Sequence, residues 1–205
     1  MVKDTIREAL LATGRIGMPE LLEEMERNGF FTAPCSGAYH LCKEGGLAEH
    51  SLNVYKAIIN IAGELKADVP MDSLVIVSLL HDLGKAGQFG KANYVPNMIK
   101  SKTKNKETGE YDLIQSTAKP YETNKELIYE EHELRSAIIA SKYIDLTEEE
   151  QHAIIHHNGS WCKLESSFSS TWDKNLLTFI LHFADLYCSR FVETKGESGE
   201  CQSIQ

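Results

Sequence analysis

Apolar positions three or four residues apart alternate along the chain with short polar or glycine-rich breaks, a pattern that predicts helices joined by loops. Val2, Ile6, Ala9 and Leu10 mark a helix over residues 2–12, interrupted by Gly14 and Gly17. Pro19 opens a second, Glu20 to Asn28, closed by Gly29, so two N-terminal helices fill residues 1–30. The stretch FFTAPCSGAYHLCKEGG is punctuated by Pro34, Gly37, Gly45 and Gly46 and reads as irregular. From Leu47 to Lys66, Leu47, Val54, Ile58, Ile61 and Leu65 predict one long helix. Asp72 is placed to cap the next, SLVIVSLL, which runs into His81 and is expected to stop near Gly84. A helix that is apolar on all sides belongs in the core.

Residues 88–123 break the helical period. YVPNMIKSKT and EYDLIQST alternate in part and flank KNKETG, which has turn character, so a β-hairpin insertion is expected at about 90–120. Helical spacing resumes from about Lys125 to Tyr143. In LTEEEQHAIIHHNG, Thr147 and Glu150 form a capping box and Asn158-Gly159 a stop. A last helix is predicted from Asp173 through Phe191, and the tail, 195–205, is expected to fray. The fold class read from this is all-α: one domain over 1–205, with its core at about 45–192 and an inserted hairpin.

Composition narrows the setting. At 205 residues, 42% hydrophobic and 25% charged, the chain has the size and balance of a single globular domain. No apolar run approaches the roughly 20 residues of a membrane-spanning helix, and the first residues carry acids instead of an apolar leader. The five cysteines (Cys35, Cys42, Cys162, Cys188 and Cys201) are odd in number and form no CxxC pair, which predicts free thiols and a cytoplasmic setting. The net charge of −9 argues against broad coating of nucleic acid. It still admits a small anionic substrate, since bound metal ions would supply positive charge locally.

The chemistry lies in His50, the pair His81-Asp82, His132, the pair His156-His157, and Asp185, each in or beside a predicted helix. These imidazoles and carboxylates outnumber the needs of one structural ion and suit a hydrolytic site of one or two ions. Histidine-rich ligation favours manganese, iron, cobalt, nickel or zinc over magnesium. Within HDLGK, adjacent helical residues point about 100° apart, but at a helix end both can turn to one target. Asp82 has two oxygens with which to bridge two cations, and Lys85 sets a mobile positive charge beside them for a phosphate oxygen. Asp185, within LHFADLY, is costly to bury unless paired or metal-bound. His132 is the natural general acid if it is not a ligand.

GGLAEHSLNV, LLHDLGK about thirty residues on, and LHFADLY near the end together resemble the H…HD…D signature of HD-domain metal-dependent phosphohydrolases, over roughly residues 45–190. The resemblance implies helices converging on a metal site with His50, His81, Asp82 and Asp185 as ligands. With His132 and His156-His157 the pattern is similar to the multi-metal branch of that superfamily, which includes cyclic-dinucleotide phosphodiesterases. It implies that these three histidines hold a second ion bridged to the first by Asp82. After HH the chain reads NGSWCK, without the Gly-Tyr-Pro segment of the cyclic-di-GMP enzymes, which weakens that substrate.

Other residues fill in a substrate reading. Lys100, Lys102, Lys104 and Lys106 alternate along the expected hairpin, as a lip for a nucleotide or as a solvated edge. His40 stands ready to reach a phosphate, and His182, three residues before Asp185, to orient that acid. His152 is expected to be exposed, and Arg190 and Lys163 are possible phosphate contacts. No Gly-rich phosphate loop, HExxH or GxSxG is present. The expected activity is metal-dependent hydrolysis of a phosphoester in a nucleotide or short oligonucleotide. The alternatives are a nucleotide-binding sensor and a di-iron oxygenase.

Overall fold

Helix α4 (Met71–Leu80) carries apolar side chains on every face, and from Ser73 to Leu80 all of its residues are buried. A computed structural model gives the structure and describes residues 1–159 and 174–193. Beside α4 runs the long α3 (Gly46–Leu65), and the two together have a core cluster on either flank. On one flank, α1 (Val2–Ala12) and α2 (Met18–Arg27) set Ile6, Leu10, Leu21 and Met25 against Leu47, Ile76 and Leu80. On the other, α6 (Glu148–His156) and α7 (Leu176–Tyr187) set Ile154, Ile180 and Leu181 against Val54, Ile58 and Val77. Helix α5 (His132–Ser141) reaches both clusters, through Ile139 and Ala137. Each fully buried Leu or Ile contributes about 1.5–3 kcal/mol, so these clusters fix the helix ends that carry the site.

Local signals hold where they are self-contained. The box on α6 forms: Thr147 Oγ1 accepts from the Glu150 backbone N–H, and the Glu150 carboxylate accepts from that of Thr147. Pro19 lies in the first turn of α2, and Gly29 follows it with φ of 77°. Tertiary contacts override the sequence reading elsewhere. Pro70, not Asp72, is the N-cap of α4; Asp72 accepts instead from Arg15 Nη2 at 2.9 Å. Residues 125–131 are not helical, and α5 begins only at His132. The Arg135 guanidinium donates to the carbonyls of Ile128 and Gly84 and to Asn93 Oδ1, which ties the preceding segment down in a non-helical path. Asn175 caps α7, accepting from the N–H of Leu177 and Thr178, and α7 runs on as a π-turn over Cys188–Val192. Asp173, Lys163, Cys162, Cys201 and the tail lie outside the described residues.

Between α4 and α5 the chain makes three small antiparallel pairs: β1 (Gly87–Gln88) with β2 (Lys91–Ala92), β3 (Tyr94–Pro96) with β6 (Tyr121–Thr123), and β4 (Met98–Lys104) with β5 (Tyr111–Gln115). This is more divided than the single hairpin expected at 90–120. An irregularity between Lys100 and Lys104 interrupts the alternation of the lysines, and no residue of β4 or β5 is buried. No helix among the described residues is long and apolar enough to cross a membrane.

Candidate metal centre

Gly84 explains how the two halves of the site meet. It lies in the 3₁₀ turn Leu83–Lys85 that follows His81-Asp82, where a Cβ would come within 2.3 Å of the His132 carbonyl. Its N–H donates to Ser136 Oγ on α5 at 2.8 Å. Glycine is needed here for close approach, more than as the helix stop read from the sequence. The approach brings the start of α5 against the end of α4, and so His132 against Asp82.

The donors lie near helix ends and face a single carboxylate. His50 Nε2 is 3.3 Å from His81 Nε2, 3.2 Å from Asp185 Oδ1 and 3.5 Å from Asp82 Oδ2. His81 Nε2 is 3.6 Å from the same Asp82 oxygen. On the other side, Asp82 Oδ1 is 3.2 Å from His132 Nε2 and 3.5 Å from His157 Nε2. Ligands about 2.1 Å from a shared ion stand roughly 3.0–3.4 Å apart at octahedral and tetrahedral angles, so these spacings fit ligation.

The hydrogen-bonding of the rings explains why a cation suits both sides. His81 Nδ1 faces the Ser78 carbonyl at 2.9 Å and His157 Nδ1 the Ile154 carbonyl at 2.8 Å. A carbonyl only accepts, so both rings carry a proton on Nδ1 and turn Nε2 to the cluster. Burial pushes the His81 pKa down to about 3, which keeps that ring neutral. Asp82 Oδ1 and His157 Nε2 are buried and have no hydrogen-bond partner. Burial lowers the His157 pKa, but the Asp82 carboxylate, 3.5 Å from its Nε2, outweighs that and raises it, so the gap between the two atoms favours a positive charge, a proton or a metal ion. Burial opposes ionisation of Asp82, but the Lys85 ammonium outweighs it and holds its pKa well below the usual carboxylate range. The donor set, imidazole nitrogens around carboxylates, fits a divalent transition ion.

The family model of the HD domain matches residues 47–188. The chain belongs to the HD-domain family. Members of this family are generally metal-dependent hydrolases. No curated protein and no solved structure matches the chain.

Within the HD domain, the structure sets His50 and His81 beside Asp82 Oδ2, with Asp185 against His50, and sets His132 and His157 beside Oδ1. His156 is not gathered with them. It belongs to no group of three or more donors among the described residues, and its ring centroid lies 4.4 Å from that of His152. Adjacent helical residues diverge, and α6 ends at His156, so only His157 turns inward. Lys85 is not mobile: its Nζ is held 2.6 Å from Asp82 Oδ2. Lys100 and Lys102 are exposed on β4 and do not line the cavity beside the cluster. His182 faces the His157 carbonyl through Nδ1 at 2.6 Å. His152 is half-buried, its Nδ1 2.8 Å from Thr178 Oγ1.

Several residues that the sequence reading did not single out complete the site. Glu193, fully buried beyond α7, accepts from His50 Nδ1 with oxygens at 3.0 and 2.9 Å, and from Asn53 Nδ2 at 3.0 Å. Asn158 Nδ2 reaches His132 Nε2 at 3.2 Å and Glu133 Oε1 at 2.7 Å, while Glu133 Oε2 lies 3.2 Å from His132 Nδ1. The loop of Cys35 to His40 abuts the His50 side. Cys35 Sγ is 3.3 Å from His40 Nε2 and 3.9 Å from Asp82 Oδ2. Burial raises the Cys35 thiol to about 12 and lowers His40 to about 4, so both are neutral in the metal-free protein. A cavity of about 650 Å³ opens onto Asp185 and Lys85, with Tyr39, His40, Asn158 and Arg190 also on its walls.

Proposed function

We propose that the protein is a metal-dependent phosphohydrolase acting on a nucleotide or short oligonucleotide. The observation that carries the reading is Asp82, with His50 and His81 beside one of its oxygens and His132 and His157 beside the other. His50, His81, Asp82 and Asp185 would hold one ion, and Asp82, His132 and His157 a second. Bound there, divalent ions supply positive charge for phosphoryl oxygens and make water acidic enough to deprotonate near neutrality.

The chain's own residues position and bind. Glu193 and the carbonyls of Ser78 and Ile154 fix three ligand rings with Nε2 inward. Burial disfavours the charged form of Lys85, but Asp82 outweighs it and raises its pKa well above the usual value. Lys85 is therefore an ammonium at the cavity wall, able to take a phosphoryl oxygen as charge develops. Arg190 and His40, on the same wall, suit a phosphate, and the exposed Tyr39 ring suits a base. The volume lies in the range of small-molecule sites, which favours one or a few nucleotides over a polymer. If His132 does not hold an ion, its place beside Asp82 suits proton delivery to the leaving oxygen.

The test is a panel of phosphomonoesters and phosphodiesters, from nucleotides and cyclic dinucleotides to short oligonucleotides, assayed with Mn²⁺. Turnover of at least one, lost in Asp82→Ala and His81→Ala, supports the reading. Full activity in Asp82→Ala refutes the mechanism. Tight nucleotide binding with no turnover would favour a sensor, and oxygen uptake by the iron-loaded protein an oxygenase.

A further inference from the structure

The loop before α3 holds a second kind of donor. Cys35 N donates to the Leu41 carbonyl at 3.1 Å, and Ser36 Oγ donates to the His40 carbonyl at 2.7 Å and accepts from Tyr39 N at 2.9 Å. These bonds fold residues 35–41 back so that Cys35 Sγ and His40 Nε2 meet at 3.3 Å. The start of α3 pins the loop from behind: a Cβ on Gly46 would lie 2.0 Å from the Leu41 carbonyl oxygen. Cys35, His40 and His50 each offer one donor atom, and these atoms all lie within 4.8 Å of one another. The His40 and His50 ring centroids are 5.0 Å apart. A sulfur and a nitrogen bound to zinc at about 2.3 and 2.0 Å stand roughly 3.5 Å apart at the tetrahedral angle, close to the spacing seen. His40 and the neighbouring Glu193 line the cavity, which gives an ion a route in from solvent.

We propose that Cys35, His40 and His50 form a thiolate-containing site for zinc or another thiophilic ion, and that this site competes with the metal centre for His50. Thiolate ligation selects zinc and softer ions, whereas the Asp82 cluster offers only nitrogen and oxygen. Binding replaces the S–H bond of Cys35 with an S–metal bond, and the proton leaves to solvent; nothing is oxidised or reduced. An ion held here draws His50 out of the set around Asp82 Oδ2. Thiophilic ions are then inhibitors of a protein activated by manganese, a consequence that rests on the proposed hydrolase reading.

The site itself is tested without any activity. Co²⁺ added to metal-stripped protein should give a thiolate-to-cobalt charge-transfer band in the near ultraviolet, and Cys35→Ser should abolish it. No band in the unsubstituted protein, or an undiminished band in Cys35→Ser, overturns the proposal. X-ray absorption of the zinc-loaded, unsubstituted chain needs no variant. It should show a sulfur scatterer at about 2.3 Å, and a shell of nitrogen and oxygen alone refutes the site. In the activity arm, Zn²⁺ should inhibit Mn²⁺-supported turnover of the parent protein. Measured against its own turnover with Mn²⁺ alone, Cys35→Ser should lose that inhibition. Equal inhibition of both overturns the competition. A protein with no turnover at all would count against the hydrolase reading, while the spectroscopic arms still decide the site.

Discussion

Replacing Glu193 by glutamine isolates what a buried charge behind a ligand imidazole contributes. Glu193 is fully buried, and its Oε1 accepts from both His50 Nδ1 and Asn53 Nδ2 at 3.0 Å. A glutamine with its carbonyl oxygen at that position keeps both hydrogen bonds to Oε1 and loses the negative charge together with the Oε2 contact to His50 Nδ1. Hydrogen bonds to charged groups are worth about 1.5–3 kcal/mol and neutral ones about 0.5–1.5, so the loss is roughly 1–1.5 kcal/mol. That corresponds to about tenfold in affinity. Partners of this kind behind ligand histidines typically contribute about 10–100-fold, so tenfold is the expected weakening. The assay is competition for the metal against a chromophoric chelator, with circular dichroism confirming that Glu193→Gln stays folded. Affinity unchanged within about twofold, in a folded variant, would refute the claim that Glu193 supports His50 as a ligand.

Three further outcomes follow from the packing and the charges. Arg15 donates through Nη1 and Nη2 to the fully buried Glu150, which also accepts from Ser73 Oγ, so Arg15→Ala leaves a buried carboxylate without its counter-charge. It should cost about 3–5 kcal/mol, read as a large fall in Tm; a change under about 1 kcal/mol would show the pair to be screened. Lys100→Ala and Lys102→Ala should each leave kcat/KM within about twofold, because neither lysine lines the cavity; a selective rise in KM would restore them as substrate contacts. Burial opposes the ionised forms of Asp82 and Asp185, but Lys85 for the first and His50 for the second hold both pKa values below the unfolded value. Their contribution to stability is therefore full above the unfolded value of about 3.9 and lost as pH falls through the folded ones. The Tm of metal-free protein should drop as pH is lowered below about 4 and recover on neutralisation; a Tm flat across that range would contradict the assignment.

What the sequence made legible was local, or came through the family resemblance, which the HD-domain match over residues 47–188 bears out. The span of α3 and the capping box of α6 depend on residues within a few positions of each other, so patterning finds them. Asp72 shows the limit. Its spacing reads as a cap, but Arg15, 57 residues away, takes the carboxylate and Pro70 holds the cap position. The helix expected from Lys125 fails for a similar reason, since Arg135 reaches back to Ile128, Gly84 and Asn93 across separate elements. The order of the donors was visible, but not which histidine of the pair 156–157 would turn inward, because the end of α6 decides that. Glu193 gave no signal at all: it lies 140 residues from Asn53 and 143 from His50, and only the turn of chain after α7 brings it there. Cys35 read as one of five scattered thiols, and the hydrogen-bonded loop that sets it against His40 has no sequence period to reveal it.

The bridging role proposed for Asp82 is tested most directly by counting metal in protein purified without chelator, by elemental analysis beside the variants His157→Ala and His156→Ala. Two equivalents in the parent, one in His157→Ala and two in His156→Ala are the predicted result. A single equivalent in the parent, unchanged in His157→Ala, would contradict the two-sided centre built on Asp82.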